Sequence, residues 1–205
     1  MKNTITQKLS QRLKTLDSNA VFIINDFIDI AEYDTIRKTL NRLDEEKKIL
    51  KIMRGIYYQP RFSELLQEYE APSPHQVALA IARKFNWTIA PSGITALNML
   101  GISTQVSAKW TYISDGNYKT FELGKITIEF KRRNNREIAG MSYKTALIIQ
   151  GIKALGRNKV DDISIIKMRE MLSDAEKQTL LEEAKTSLIW VYQVIKTICE
   201  VNSNV

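Results

Sequence analysis

Cysteine and histidine are nearly absent from this 205-residue sequence, which has only Cys199 and His75. A disulfide within the chain needs two cysteines, and a structural zinc site needs several Cys or His ligands, so both are excluded. No apolar run approaches the ~18 residues of a membrane-spanning helix, and the polar start does not resemble a signal peptide. We therefore expect a cytoplasmic protein that needs no metal, no cofactor and no membrane.

The charge balance is basic, because 30 Lys and Arg residues face 23 Asp and Glu residues, for a formal net charge of +7. Hydrophobic residues make up 44% and charged residues 26% of the chain, which is enough apolar material for a folded core. A basic balance of this size favours an anionic partner such as nucleic acid, although many basic proteins have none.

The composition changes most around a stretch rich in acidic residues that lies close to three of the four prolines. Pro72 and Pro74 disfavour a helix before them and permit one to begin after them. We predict two domains, at residues 1–62 and 74–205, joined by a linker at residues 63–73.

The first half predicts, in order, an amphipathic helix, a short strand, a short helix, a second amphipathic helix and two strands around Gly55. These elements cover residues 5–16, 20–24, 25–31, 34–43, 49–53 and 56–59. The order is typical of a winged helix-turn-helix, which places the second helix of its motif in the major groove of duplex DNA.

The predicted second helix packs inward through Ile36, Leu40 and Leu43 and presents a polar, basic face outward. Arg and Asn can bind guanine and adenine edges, whereas Tyr and Thr usually contact phosphates. We expect Arg37, Lys38 and Asn41 to recognise the groove. The candidate DNA contacts are Tyr33, Thr35, Arg37, Lys38, Asn41 and Arg42 on the helix and Lys51 and Arg54 on the wing. A solvated helix surface would have the same composition, so the order of the elements carries the interpretation.

The second half predicts an α+β domain with antiparallel strands and C-terminal helices. Three successive strands are predicted at residues 109–114, 118–123 and 126–131, with turn residues at 115–117 and 124–125 between them. From Ser142 onward the pattern is helical. The predicted fold class is thus α+β, with an N-terminal winged helix-turn-helix.

A compact basic cluster follows the third strand of this half. It consists of Lys131, Arg132, Arg133 and Arg136. It is a candidate second basic patch that would extend a DNA footprint or bind RNA or an acidic partner surface. A solvated strand end explains the same charges.

Glu129 and Lys131 stand two residues apart on a predicted strand, as in the metal-binding core of restriction-type nucleases. The nearest second carboxylate is Asp115, which we predict at a turn away from Glu129. The alternation of Ile126, Ile128 and Phe130 is typical of an ordinary amphipathic strand. We therefore expect no enzyme, and a Mg²⁺-dependent nuclease is the alternative.

Several phrases of the sequence resemble the AbiEi-type antitoxin and transcriptional-regulator family. They span residues 21–30, 40–43, 52–57, 91–106, 111–116 and 126–131 and include Met53-Arg-Gly-Ile-Tyr57 and Pro91-Ser-Gly-Ile-Thr95. The resemblance covers about residues 20 to 156 and departs at Ala31 and at Lys47 or Lys48, where the family commonly has glycine. It implies the antitoxin of a type IV toxin–antitoxin (abortive infection) system, which represses its own operon and whose partner is a nucleotidyltransferase-like toxin.

The C-terminal helices are apolar over a broad face, which would pack on the sheet or bind a toxin or a second copy in a homodimer. We predict a non-enzymatic regulator that binds double-stranded DNA at an operator upstream of its own gene. The competing hypothesis is an interaction module whose basic faces bind toxin or RNA without DNA sequence preference.

Overall fold

The computed structural model describes residues 4–65, 67–133, 138 and 140–200, and the chain divides into two compact units after Asn86. The predicted linker at residues 63–73 lies within the first unit. The helix predicted to open the second domain also belongs to the first unit, where it packs against the first strand.

The first unit contains three helices and two small sheets in its described part. The elements are α1 (Ile5–Lys14), β1 (Val21–Ile23), a 3₁₀ turn (Ile24–Phe27), α2 (Tyr33–Glu45), β2 (Leu50–Met53), β3 (Ile56–Tyr58), β4 (Phe62–Ser63), β5 (Glu68–Tyr69) and α3 (Pro74–Phe85). β3 lies between β1 and β2 and is antiparallel to both.

The core of the first unit forms where α1 and α2 bury the apolar faces that their periodicity predicts. Leu9 and Leu40 are fully buried, and they pack in one cluster with Phe22 and Phe27. α1 begins at a reciprocal cap in which Thr4 and Gln7 each accept a hydrogen bond from the other's backbone amide. The predicted helices and strands of this half are therefore confirmed to within a few residues.

The segment predicted as a linker contains the β4–β5 hairpin and is tied to the body of the first unit. Asn19 donates from its amide to Glu70 at 2.9 Å and accepts from the Arg61 amide at 3.0 Å. Asn19 has a φ of 63°, in the left-handed region that asparagine tolerates better than most residues. The segment is thus a structured part of the first unit.

The second unit is a four-stranded sheet with helices packed on it. Its elements are β6 (Ile89–Pro91), α4 (Ile94–Met99), β7 (Lys109–Ser114), β8 (Lys119–Leu123), β9 (Ile126–Arg132), α5 (Tyr143–Leu155), α6 (Asp162–Glu170), α7 (Asp174–Glu183) and α8 (Ile189–Cys199). α5 is buried from Thr145 to Ile152 and forms the centre of a core with α4, α6, α7 and α8. Both the mixed α+β class and the C-terminal helices agree with the prediction. Among the described residues, no helix is long and apolar enough to cross a membrane.

The strand pairing of the second unit differs from the predicted succession of antiparallel hairpins. The strand order is β6-β7-β9-β8, and β7 runs parallel to β9, while the β8–β9 and β6–β7 pairs are antiparallel. The predicted hairpin between β7 and β8 is therefore wrong, and the predicted turn at residues 124–125 is right.

Contacts with the residues before β6 explain why the turn at residues 115–117 does not close a hairpin. Asp115 accepts a hydrogen bond from the Thr88 amide at 2.8 Å, and its own amide donates to the Thr88 carbonyl. Gly116 lies under the Trp87 ring, since a Cβ added there would come within 2.2 Å of it. These residues hold the chain beside β6, and β8 then passes to the far side of β9.

Candidate functional site

A cleft of about 700 Å³ lies in the first unit between α2 and the turn that joins β2 to β3. We call it the α2 cleft. Its lining consists of Ile23, Ile24, Asn25, Tyr33, Asp34, Arg37, Asn41, Lys51, Arg54, Gly55, Tyr57 and Lys84. α2 contributes to it from its first turn to its third, because residues three and four apart share one side of a helix.

The α2 cleft is strongly basic. Four cationic side chains line it, on Arg37, Lys51, Arg54 and Lys84, against the single carboxylate of Asp34. Charges of one sign in a concave surface reinforce one another's potential and attract an anionic partner. The cleft is therefore suited to a polyanion, or to a phosphate group within one.

Arg37 is held within the cleft by the carboxylate one turn before it. Its Nε donates to Oδ1 of Asp34 at 3.2 Å, and its Nη2 lies 3.2 Å from the same oxygen. The Arg37 side chain is 45% exposed. The outer edge of the guanidinium, between Nη1 and Nη2, remains the edge with which Arg37 can bind a planar acceptor pair.

Asn41 is held by Tyr57, whose hydroxyl donates to the side-chain oxygen of Asn41 at 2.8 Å. The Tyr57 ring is buried against Phe22, at 6.3 Å between ring centroids. Burial, with a smaller contribution from Asp44, raises the pKa of Tyr57 above its ordinary value, so the phenol stays protonated and remains a donor. With its oxygen oriented by Tyr57, Asn41 can donate to a ligand through its side-chain nitrogen.

The turn of the β2–β3 hairpin is built from Arg54 and Gly55 and is supported from α3. Gly55 has a φ of 77°, a conformation that favours glycine. The Lys84 ammonium donates to the Arg54 carbonyl. At the other end of β2, Asp44 accepts from the Lys51 amide at 2.9 Å, so this carboxylate of the acidic end of α2 helps to hold the strand.

The structure brings together five of the eight predicted contact residues, namely Tyr33, Arg37, Asn41, Lys51 and Arg54. Thr35, Lys38 and Arg42 do not line the cleft. Arg42 donates to the Thr6 hydroxyl on α1 at 2.7 Å and lies 3.8 Å from Glu46. Its side chain is thus directed towards α1.

Lys84 is the cationic residue of the cleft that the sequence pattern did not predict as a contact. It follows Arg54 by thirty residues and lies on a helix that was assigned to the other domain. No local pattern connects the two positions, because only the packing of α3 against β1 brings them together. The neighbouring Arg83 fixes the same helix, since it donates to the Val21 carbonyl and to Asp26, both at 3.2 Å.

Three of the four residues of the second basic patch lie in the described part of the chain. Lys131 faces Glu129 at 3.4 Å, and Arg132 ends β9 as an exposed residue. The Arg133 amide donates to the Ser114 carbonyl and continues the pairing of β7 with β9. Arg136 lies outside the described residues. The patch therefore retains two exposed arginines beside a lysine that already has a carboxylate partner.

Glu129 is a buried carboxylate with cationic neighbours. Its side chain is 5% exposed, and it accepts from the Tyr118 hydroxyl at 2.6 Å and lies 3.0 Å from the Lys109 ammonium. Burial by itself raises the pKa of Glu129, but the hydrogen bonds from Tyr118 and Lys109 and the charges of Lys109 and Lys131 together lower it below its ordinary value. This site resembles a structural ion cluster more than a cation-binding site.

The second carboxylate of the nuclease alternative is also engaged elsewhere, because Asp115 bonds the Thr88 amide. Within the described ranges, no group of three or more His, Cys, Asp or Glu side chains is arranged to hold a metal ion. Asp115 and Glu129 thus each have a protein partner, the Thr88 amide and the Tyr118 hydroxyl respectively.

The sequence matches one protein family over most of its length. Residues 8–180 match the model of one protein family, described as a family of unknown function, DUF6088. No curated protein matches the sequence. The family match spans both compact units.

Proposed function

We propose that this chain, which by that match belongs to the DUF6088 family, is a transcriptional regulator that binds duplex DNA through a winged helix-turn-helix in its first unit. The order of helix, strand, 3₁₀ turn, helix and two-stranded hairpin supports this proposal. So does the three-stranded sheet in which β3 lies between β1 and β2. The observation that carries it is the basic α2 cleft, because an exposed helix and a hairpin turn frame it together.

In the proposed complex, α2 enters the major groove. Arg37 and Asn41 bind base edges there, and Lys38 on the exposed part of α2 assists them. Lys51, Arg54 and Lys84 contact phosphates, which set the register of the protein on the duplex and supply most of the salt-dependent affinity. Occupancy of an operator upstream of its own gene would repress transcription.

The antitoxin role is a second part of the proposal and rests on the resemblance to AbiEi-type regulators. In this role the protein acts in the cytoplasm and counteracts a nucleotidyltransferase-like toxin encoded beside it, through its second unit or as a homodimer. Coexpression with the neighbouring gene tests this part. We expect growth to be restored by the full chain, and failure to restore it would remove the antitoxin role while leaving DNA binding intact.

The DNA-binding part is tested by fluorescence anisotropy with duplex from upstream of the gene and a scrambled duplex, each titrated across salt concentrations. A preference of ~10³-fold or more for the upstream duplex is expected of a specific regulator. Arg54→Ala should weaken binding to both duplexes alike, because it removes a backbone contact. Arg42→Ala is the matched control, since Arg42 is directed towards α1, and its affinity should stay close to that of the unsubstituted protein.

A protein–protein or RNA-binding module is the competing function. It predicts weak DNA binding that is indifferent to sequence and steeply dependent on salt, because only the net charge would act. Equal affinity for the two duplexes would therefore favour it over the regulator.

A further inference from the structure

We propose that Asp34 and Tyr57 are positioning residues that preset Arg37 and Asn41 to read a guanine and, within about two base pairs of it, a base with a major-groove acceptor. The inference rests on the proposed DNA-binding function and specifies two bases that the operator should contain. It is carried by two side-chain hydrogen bonds inside the α2 cleft.

The Asp34–Arg37 pair determines which edge of the guanidinium faces outward. Both Nε and Nη2 of Arg37 lie 3.2 Å from one oxygen of Asp34, so this edge of the guanidinium is directed at Asp34. The outer edge presents two parallel N–H donors. Guanine alone offers a matching pair of acceptors, O6 and N7, in the major groove. Because Arg37 is held before binding, less side-chain entropy is lost when it contacts the base.

The Tyr57–Asn41 bond selects what the second residue can do. An asparagine with both amide groups available pairs with adenine by donating to N7 and accepting from N6. Here one lone pair of the oxygen already accepts from Tyr57 at 2.8 Å, so we expect Asn41 to act on a base mainly as a donor, through its amide nitrogen. The acceptors it can meet are N7 of a purine, O6 of guanine or O4 of thymine. A cytosine, which presents a donor at that position, is disfavoured.

Asp34 also opposes sequence-independent binding, because its carboxylate repels DNA phosphates that approach Arg37. It is the only carboxylate among the lining residues, and its side chain is 75% exposed. A phosphate backbone that approached Arg37 would meet this carboxylate, whereas a base edge carries no full charge. The pair therefore favours base recognition over phosphate contact at Arg37, and specificity gains from a repulsive element as much as from an attractive one.

The first test selects bound duplexes from a randomised library with the full-length chain. We expect an enriched motif with guanine at one position and an acceptor-bearing base within about two pairs of it. Failure to enrich any sequence would overturn both this inference and the proposed function. An enriched motif without such a guanine, or one whose guanine preference persists in Arg37→Ala, would overturn the inference alone.

The second test removes one acceptor from the guanine by replacing it with 7-deazaguanine. Affinity of the unsubstituted protein should fall several-fold, and by no more than the roughly 5- to 150-fold that a complete bidentate arginine–guanine contact is worth, because O6 remains. The same replacement should cost Arg37→Ala nothing further. An equal loss in both proteins would show that another residue reads N7, and the assignment to Arg37 would be wrong.

The Asp34→Asn variant separates a positioning role from simple repulsion. We expect tighter binding to scrambled duplex and a smaller penalty for 7-deazaguanine, because the guanidinium is no longer held. Glu32→Gln is the matched control, since it removes the same charge from the start of α2 but does not line the cleft. An unchanged 7-deazaguanine penalty in Asp34→Asn would reduce Asp34 to a repulsive charge and overturn its positioning role.

Tyr57→Phe tests the second pair while keeping the buried ring. The Asn41 amide can then turn and donate or accept, so the discrimination against cytosine at its base should weaken. Preference at the guanine position should stay as it is, because Arg37 has its own partner. Loss of preference at both positions would indicate a general disturbance of the cleft and would contradict the separate role of Tyr57. Thermal unfolding of each variant is the control for its fold. Asp34→Asn should remain folded because Asp34 is mainly exposed and surface ion pairs contribute little to stability, and Tyr57→Phe should remain folded because it keeps the buried ring.

Discussion

Replacing Lys84 with glutamine should make the proposed DNA binding less dependent on salt concentration, by about one phosphate contact. Each neutralised phosphate steepens the dependence of log affinity on log salt by about 0.9. If Lys51, Arg54 and Lys84 each neutralise one phosphate while Arg37 reads a base, the cleft contributes a slope of about −2.7. Lys84→Gln would reduce it to about −1.8.

These slopes translate into affinities that are readily measured. Between 50 and 200 mM salt, a slope of −2.7 corresponds to a loss of about 40-fold, and a slope of −1.8 to a loss of about 12-fold. Glutamine keeps a donor for the Arg54 carbonyl, so the variant removes the charge with limited effect on the turn. The assay is fluorescence anisotropy on the upstream and scrambled duplexes, and the change in slope should be equal on both.

Two further variants determine how the result is interpreted. Lys8→Gln removes a lysine that is exposed on α1 and does not line the cleft, so its slope should match that of the unsubstituted protein. Lys84→Arg keeps the charge and should keep the slope. If Lys84→Gln leaves the slope unchanged, Lys84 only supports the hairpin turn, and the inclusion of α3 in the DNA-contacting surface is refuted.

Three other predictions concern stability and chemistry. Gly116→Ala should lower the free energy of unfolding by about 1–3 kcal/mol in urea denaturation, because the added Cβ would overlap the Trp87 ring; an unaffected stability would contradict the packing of this turn. Glu176, whose pKa is lowered to about 2 mainly by its bond from Lys144, stabilises the fold above the ordinary glutamate pKa and loses this contribution as pH falls towards 2. The difference in Tm between the unsubstituted protein and Glu176→Gln should therefore shrink between pH 5 and pH 2, and a constant difference would exclude this linkage. Plasmid DNA should stay intact in Mg²⁺, and cleavage that Glu129→Ala abolishes would establish the nuclease instead.

The pH prediction has a matched control in Glu170→Gln. Glu170→Gln also removes an exposed glutamate from the second unit, at the end of α6. We expect the Tm difference for this variant to be small at every pH, since Glu170 has no ion pair comparable to the 2.7 Å contact between Lys144 and Glu176 in the part of the chain that the structure describes.

Local sequence patterns determined most of the helices and longer strands and much of the candidate site, although they missed the β4–β5 hairpin. The helical spacing of Ile36, Leu40 and Leu43 defines the buried face of α2. Once that face is known, Arg37 and Asn41 must lie on another side of the helix, because the backbone geometry leaves no choice. Arg54 and Gly55 likewise identify a turn from residue type alone. These features depend on neighbours within a few residues, which is the range over which periodicity carries information.

Tertiary structure alone decided which distant residues meet. The parallel pairing of β7 with β9 depends on where the residues after β7 pack, and Gly116 beneath Trp87 could not be foreseen from turn propensity. Lys84 reaches Arg54 only because α3 packs on β1, and Arg42 turns to α1 although the adjacent Asn41 lines the cleft. Sequence thus determined the faces that each helix and strand offers. Which helices and strands pack together depends on the tertiary structure, because these contacts form when whole apolar surfaces are buried together and do not follow from any local pattern.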